Sequence, residues 1–126
     1  MITPANILAV IIGGGIGSLC RYLFSLLASR IFGGSFAWGT LGANLAGCLL
    51  IGIGYALMER NIMSPAVRLF CMTGFLGGFT TFSTYSLESI NFLTSGQFSM
   101  ALTNIAVNNI GGLMLVVFGI WLGRMV

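Results

Sequence analysis

The chain has 126 residues, of which 57% are hydrophobic and only 6% are charged. Soluble domains carry about 25% charged residues, so this composition excludes a protein whose whole surface faces water. One helical crossing of a bilayer needs about 20 apolar residues. We therefore expect a single all-α integral membrane domain covering residues 1–126, with four transmembrane helices.

Charge and residue type exclude several functions. All five basic residues are arginines, the acidic residues are Glu59 and Glu88, and the net charge is +3. Scattered arginines favour anchoring at lipid headgroups and argue against nucleic acid as a partner, which would need a basic cluster. With no histidine or aspartate, the chain has no catalytic set, so we expect no enzyme. Cys20, Cys48 and Cys71 lie in apolar segments and are expected to be packing residues.

The first predicted span covers residues 5–31, after Pro4, and the second covers residues 38–58, after a loop at Gly33 and Gly34. Repeated glycines in both spans predict close packing, because small residues let helices approach each other in lipid. The first apolar stretch has no basic beginning and is too long for a signal peptide, so we expect it to remain as a helix.

Span three is predicted over residues 66–93 and span four over residues 98–122, separated by a turn at residues 95–97. Four crossings place both termini on one side of the membrane. Arginines then lie on both sides, and this weak bias permits insertion in either orientation. Because so small a chain could hardly enclose a pathway alone, we expect an antiparallel homodimer.

Residues 74–85 carry the most informative motif, Gly-Phe-Leu-Gly-Gly-Phe-Thr-Thr-Phe-Ser-Thr-Tyr. Glycines and hydroxyl side chains in the middle of an apolar span predict a broken helix. Non-helical backbone at bilayer depth persists only where protein buries it or where it lines a hydrated cavity. The motif thus predicts a pore, an ion site or both.

Uncharged polar side chains recur on two other spans. Thr40 and Asn44 lie four residues apart on one helical face, as do Asn104 and Asn108. Such stripes are typical of two arrangements: hydrogen bonds that tie helices together, or a hydrated ion path lined by the same groups. The predicted break favours the path, and neutral donors suit an anion that must be bound and then released.

Three further features are candidates for ion binding. Phe82 and Tyr85 lie three residues apart after the break, and they are either packing residues or ring edges that coordinate an anion. Freed carbonyls at Gly77 and Thr80, supplied by two copies of the chain, are candidates for binding Na+. Arg21 either reaches a headgroup or adds positive potential to an anion vestibule.

Three blocks of residues follow one another in a specific order: Gly13-Gly14-Gly15-x-Gly17 with Arg21-Tyr22, then Gly39-Thr40-Leu41-x-x-Asn44-Leu45-x-Gly47, then Thr73-Gly74-Phe75-x-Gly77-Gly78-x-Thr80-Thr81-Phe82-Ser83-Thr84. Together these blocks resemble the Fluc family of bacterial fluoride channels, and the resemblance covers essentially the whole chain. It implies passive export of fluoride across the cell inner membrane by an antiparallel, dual-topology homodimer. It also implies two pores and a central structural Na+.

Carried over by position, the resemblance implies pore or fluoride-binding roles for Thr40, Asn44, Phe82, Ser83, Thr84, Tyr85, Glu88, Asn104 and Asn108. It implies that Arg21 is the vestibule arginine and that the carbonyls of Gly77 and Thr80 bind Na+. Two positions depart from the family pattern. Tyr85 stands where the motif usually has Phe, which adds a hydroxyl that either donates to the ion or narrows the path. Gly112 stands in place of a common Ser, which shortens the polar track.

Two other classes of membrane protein explain fewer of these features. A small multidrug transporter also has four spans per chain and assembles antiparallel. Its proton exchange needs a carboxylate in the first span, however, and residues 5–31 contain none. A non-transporting assembly subunit would explain the glycines and the asparagines but not the predicted break in the third span.

Overall fold

The computed structural model describes residues 2–126, which form helices joined by short connections, with no strand in that range. We number the helices in chain order as α1 (Pro4–Phe32), α2 (Trp38–Glu59), α3 (residues 65–79), α4 (Phe82–Thr94) and α5 (Phe98–Met125). The connections between them are at most five residues long.

Two helices begin where the sequence supplies a side-chain cap followed by a proline. Thr3 accepts a hydrogen bond from the backbone N–H of Asn6 at 3.2 Å, and Pro4 occupies the first turn of α1. Ser64 caps α3 in the same way, ahead of Pro65. The capping oxygen satisfies a backbone donor that the helix leaves free, and proline has no N–H to lose at this position.

Helices α3 and α5 each contain a wider, π-helical stretch: Leu69–Leu76 in α3 and Val107–Gly111 in α5. Because a π-helical turn holds more residues than an α-helical turn, it shifts the positions of side chains around the helix axis. In α5 the stretch contains two adjacent amides, Asn108 and Asn109. Both of them enter the polar contacts of the candidate site.

Helical geometry stops between α3 and α4. Thr80 (φ −85°, ψ 157°) and Thr81 (φ −150°, ψ 124°) are extended, whereas Gly77 and Gly78 remain helical at the end of α3. The extended residues are thus two threonines rather than the glycines of the motif. Threonine is β-branched, and this side chain favours extended backbone over helix.

Glycines set the closest helix pairs. α1 packs against α3, and a methyl group added at Gly17 would overlap the carbonyl oxygen of Phe75. α2 packs against the second half of α5, where a methyl group added at Gly119 would overlap the carbonyl oxygen of Leu49. Main chains that approach this closely gain van der Waals contact, which drives helix association in lipid.

Three of the described helices, α1, α2 and α5, are long and apolar enough to cross a membrane. Large apolar side chains cover their outer faces: Ile11 is 61% exposed, Leu113 is 71% exposed and Val117 is 68% exposed. An exposed apolar surface of this extent is typical of contact with lipid. The prediction of an all-α membrane protein is therefore confirmed.

Candidate functional site

The interruption between α3 and α4 is held by Asn44 of α2. The amide nitrogen of Asn44 donates to the carbonyl oxygen of Thr81 at 3.0 Å, and the N–H of Thr81 donates to the amide oxygen at 2.8 Å. One side chain thus satisfies both main-chain polar groups of an extended residue, as a neighbouring strand would. Left unpaired in an apolar medium, these groups would strongly destabilise the fold.

A chain of amide hydrogen bonds continues from Asn44 to α5 and α4. Asn44 Nδ2 donates to Asn108 Oδ1 at 3.0 Å, and Asn108 Nδ2 donates to the side-chain and main-chain oxygens of Asn104 at 2.9 and 2.8 Å. Asn104 is fully buried and donates to Ser89 Oγ at 3.0 Å. Ser89 in turn donates to the carbonyl of Tyr85 at 2.8 Å. The amide hydrogens of Asn44 and Asn108 are therefore committed to protein oxygens.

Hydroxyl side chains form the start of α4. Thr81 Oγ1 accepts from the backbone N–H of Thr84 at 3.3 Å and so caps the helix. The same hydroxyl lies 3.1 Å from Thr84 Oγ1 and 3.4 Å from Ser83 Oγ. Ser83 and Thr84 are exposed. The amino-terminal end of a helix carries partial positive charge, so this end of α4 favours an anion.

The same hydrogen bonds deprive two main-chain carbonyls of their helical donors. In a continuous helix the N–H groups of Thr81 and Thr84 would bond to the carbonyls of Gly77 and Thr80. Here those N–H groups donate to Asn44 Oδ1 and to Thr81 Oγ1 instead. The interruption thus leaves the carbonyl oxygens of Gly77 and Thr80 available to another partner.

Two aromatic side chains at the start of α4 are in edge contact. The ring centroids of Phe82 and Tyr85 lie 5.5 Å apart with an interplanar angle of 60°. Phe82 is 77% exposed, whereas Tyr85 is 8% exposed. The hydroxyl oxygen of Tyr85 accepts from Asn109 Nδ2 at 2.9 Å, so the ring is held between α4 and the π-helical stretch of α5.

These groups surround an open cavity of about 360 Å³, which we call the α3–α4 cavity. Polar groups come from α2, from α5 and from the interruption, and apolar and sulfur side chains complete the walls. The lining includes Asn44, Cys48, Met72, Gly77, Thr80, Thr81, Phe82, Tyr85, Asn108 and Asn109. A few polar groups among apolar walls are typical of a site for a small ligand.

A second cavity, of about 270 Å³, adjoins a carboxylate of α4. Thr40 Oγ1 donates to Glu88 Oε1 at 2.8 Å. The other carboxylate oxygen, Oε2, is buried and has no hydrogen-bond partner among residues 2–126. Thr40, Thr84 and Glu88 all line this cavity, together with Ser25 of α1.

The residues that the sequence predicted for the site thus fall into two groups. Those at the α3–α4 cavity are Asn44, Gly77, Thr80, Phe82, Tyr85 and Asn108, and those at the smaller cavity are Thr40, Thr84 and Glu88. Ser83 is exposed at the start of α4, and Asn104 is buried behind Asn108. Arg21, half-buried in α1, is not among the residues that line either cavity.

Three residues outside the set that was predicted to line the pore or bind fluoride complete the site. The main chain of Thr81 is paired with the side chain of Asn44. Ser89 accepts a hydrogen bond from Asn104, and Asn109 donates one to the hydroxyl of Tyr85. Thr81 carries a local signal, because threonine is a favoured helix cap. No local pattern identifies the partners of Ser89 and Asn109, which lie 15 and 24 residues away in the chain.

The helices, the interruption and the polar cavity define a helical membrane protein with a discontinuous segment at its candidate site. A model of the CrcB-like protein family, described as Camphor Resistance (CrcB), matches residues 8–120. The chain belongs to this family.

Similar proteins carry one common name. A protein named fluoride-specific ion channel FluC from Maridesulfovibrio salexigens is 46% identical over 115 residues, covering 90% of this chain and 91% of the relative. Proteins of the same name from Salinibacter ruber and Clostridium perfringens are each 45% identical, covering 90% and 93% of this chain and 86% and 92% of their own lengths. The resemblance to the Fluc family is therefore confirmed.

Proposed function

We propose that this protein is a fluoride-selective ion channel that exports F− passively. The similar proteins are named fluoride-specific ion channels, and the family is one of channels rather than enzymes. In this chain the proposal is supported by the extended residues Thr80 and Thr81, which Asn44 holds beside a cavity of about 360 Å³. A membrane protein keeps such an interruption where the main chain is paired or lines a hydrated space.

Neutral groups bind the anion in the inner part of the proposed path, at the α3–α4 cavity. The ring edges of Phe82 and Tyr85 carry partial positive charge, and the amino-terminal end of α4 adds to it. A small anion gains enough interaction here to lose water, yet no fixed positive charge holds it, so it can leave. Thr40, Thr84 and Glu88 form the outer part of the path, with the Ser83 hydroxyl at the start of α4. Arg21 attracts anions to the vestibule by its charge.

The asparagines support this path through the protein itself. Asn44 and Asn108 donate all of their amide hydrogens to protein oxygens, and Asn104 donates to a buried serine. They therefore keep the interruption in place while Asn44 and Asn108 also border the cavity. In this proposal the polar stripes have both of the functions considered for them: the same residues tie the helices together by hydrogen bonds and shape the ion path.

We further propose that residues 65–94 cross the membrane as a discontinuous third span. α4 has 13 residues, and neither α3 nor α4 reaches the length of about 20 residues that a crossing requires. End to end they are long enough. With α1, α2 and α5 this makes four crossings, so both termini lie on the same side.

A second, antiparallel copy completes the proposed channel. Phe82 is 77% exposed and Gly77 is also exposed, although both border the α3–α4 cavity. Unpaired carbonyls are unfavourable in hydrocarbon, so a protein surface rather than lipid covers them. Arginines on both sides of the membrane permit two copies to insert in opposite orientations. Each copy contributes one interrupted segment, which gives two fluoride pores.

The same arrangement suits one structural Na+ between the two copies. Main-chain oxygens at breaks in membrane helices are ligands for Na+. The carbonyls of Gly77 and Thr80 lack their helical donors, whereas those of Gly78 and Thr81 accept hydrogen bonds from side chains. Bound there, Na+ would balance the partial negative charge of the converging carbonyls.

Fluoride efflux from liposomes tests the proposed function. Purified full-length protein is reconstituted into vesicles loaded with fluoride or chloride, and protein-free vesicles serve as the control. We expect fluoride to leave rapidly through the protein while chloride is retained. Equal release of both anions, or release of neither, would refute a fluoride channel. In cells, a tagged chain is expected in the inner membrane fraction.

A further inference from the structure

The contacts of the Asn109 side-chain amide allow only one of its two possible orientations. Its nitrogen lies 2.7 Å from the carbonyl oxygen of Ile105 and 2.9 Å from the hydroxyl oxygen of Tyr85. Because a carbonyl oxygen only accepts hydrogen bonds, the amide atom facing Ile105 is the nitrogen. Exchanging the amide nitrogen and oxygen would bring two acceptors together. Both amide hydrogens of Asn109 are therefore donated, one to each oxygen.

This orientation decides how the hydroxyl of Tyr85 is used. A phenolic hydroxyl accepts hydrogen bonds and has one hydrogen to donate. Since its oxygen accepts from Asn109, its hydrogen points away from that amide. Tyr85 lines the α3–α4 cavity, and its ring is buried in edge contact with Phe82. The hydroxyl is thus fixed in place with a hydrogen available to a ligand in the cavity.

Other donors on the cavity wall are used within the protein. The amide hydrogens of Asn44 and Asn108 bond to protein oxygens. The Thr80 hydroxyl donates to a main-chain carbonyl at 2.9 Å, and the Thr81 hydroxyl donates to a neighbouring threonine at 3.1 Å. The thiol of Cys48 is only a weak donor. The hydroxyl of Tyr85 is therefore the strong side-chain donor that this wall leaves for an ion.

We propose that the Tyr85 hydroxyl donates a hydrogen bond directly to the anion, and that Asn109 is the positioning residue that directs it. This inference rests on the proposed fluoride channel and adds a specific donor to it. Hydrogen bonds from a hydroxyl to an anion are short and strong. Fluoride concentrates its charge on a smaller atom than chloride does, so the same donor favours fluoride over chloride.

The test compares two tyrosine variants in liposomes. Tyr85→Phe keeps the ring and removes only the hydroxyl, and Tyr22→Phe, at a 60% exposed position of α1, is the matched control. We expect Tyr85→Phe to remain an active channel. Its half-saturating fluoride concentration should rise about tenfold, the scale of one hydrogen bond to a charged group, and its preference for fluoride over chloride should fall.

The outcomes separate the two proposals. Suppose that the parent protein carries fluoride and that Tyr85→Phe has the same half-saturating fluoride concentration and the same preference for fluoride over chloride. The hydroxyl is then not a donor to the ion, and this inference is overturned. If the parent protein carries no fluoride, the proposed function itself is refuted.

A spectroscopic measurement keeps the test independent of transport. The chain has three tyrosines, so the double variant Tyr22→Phe/Tyr55→Phe leaves Tyr85 as the single tyrosine. The tyrosine Fermi doublet in ultraviolet resonance Raman spectra reports whether a phenol donates or accepts hydrogen bonds. We expect fluoride to change this doublet in the direction that indicates stronger hydrogen-bond donation by the phenol, and chloride to leave it unchanged. An unchanged doublet at fluoride concentrations that saturate transport would contradict direct donation.

The role of Asn109 is tested by a double-mutant cycle. Asn109→Leu should raise the half-saturating fluoride concentration when Tyr85 is present. In the Tyr85→Phe variant it should raise that concentration little further, because a positioning residue acts through the group that it holds. Effects of equal size in both backgrounds would show that Asn109 acts separately from the hydroxyl.

Discussion

Asn44 and Thr81 lie 37 residues apart in the chain and are joined by two hydrogen bonds, of 3.0 and 2.8 Å, between one side-chain amide and both main-chain polar groups. The amide acts as donor and acceptor at once. A carboxylate of the same size lacks the donor, and a hydrocarbon side chain lacks both functions. The geometry of the interruption between α3 and α4 therefore depends on one residue of α2.

Asn44→Asp is expected to block fluoride flux and to destabilise the protein. The carboxylate cannot donate to Thr81 or Asn108, so two acceptors lose a partner, and each buried unsatisfied group costs about 1–3 kcal/mol. Its negative charge also repels the anion. Thermal unfolding in detergent and liposome efflux measure the two effects. Asn61→Asp, at an exposed turn with φ 55°, is the control and should behave as the parent protein does. Normal efflux through Asn44→Asp would exclude Asn44 from the path.

Phe82→Ile is expected to abolish fluoride flux while the protein still folds. An aliphatic side chain offers no electropositive edge to the anion, and at a position that is 77% exposed it removes little packing from the chain itself. Efflux and size-exclusion profiles should be compared with those of Phe98→Ile, a 64% exposed phenylalanine at the start of α5. If the two variants conduct equally well, the ring of Phe82 has no part in conduction.

Gly17→Ala is expected to destabilise the packing of α1 on α3. The added methyl group would overlap the main-chain carbonyl oxygen of Phe75, which cannot move without moving the helix, and such overpacking costs about 1–3 kcal/mol. Gly15→Ala is the matched control, because no atom lies within 4 Å of the added methyl group. There alanine should stabilise the helix slightly, by up to about 1 kcal/mol. Equal melting temperatures for the two variants would contradict the close contact.

Thr80→Ala is expected to leave Na+ binding almost unchanged. The proposed ligand is the main-chain carbonyl, and the hydroxyl of Thr80 is turned back to the carbonyl of Leu76 at 2.9 Å. The measurement is the Na+ dependence of homodimer stability in the variant and in the parent protein. Loss of that dependence in Thr80→Ala would assign the hydroxyl to the site. Equilibrium binding of Na+ to an isolated monomer would refute a site divided between two copies.

Local patterns were sufficient for the starts of α1 and α3. Pro4 and Pro65 open α1 and α3 as expected of prolines in a first helical turn, because that position needs no N–H. The motif at residues 74–85 indicated where regular helix is difficult to maintain, but not which residues are extended. Gly77 and Gly78 are helical and Thr80 and Thr81 are extended, since Asn44 pairs with the main chain of Thr81 and with no glycine.

The partners of the polar side chains were beyond prediction for a geometric reason. The spacing of Asn104 and Asn108 places them on one face of a helix but does not state what that face contacts. In the structure Asn104 donates to Ser89, which lies in another helix. The π-helical stretch Val107–Gly111 adds a second difficulty, because it shifts Asn109 from the position that a regular helix would give it.

The sequence by itself determined that this chain is an all-α membrane protein of a channel family, because composition, the length of apolar segments and the order of short motifs are properties of the chain alone. The tertiary structure decided which hydrogen bonds are made: Asn44 with Thr81, Asn109 with Tyr85, and Thr40 with Glu88. These bonds depend on the depth and rotation at which helices pack. That packing depends on main-chain contacts between glycines and residues of other helices, such as Gly17 with Phe75 and Gly119 with Leu49, so no local pattern contains it.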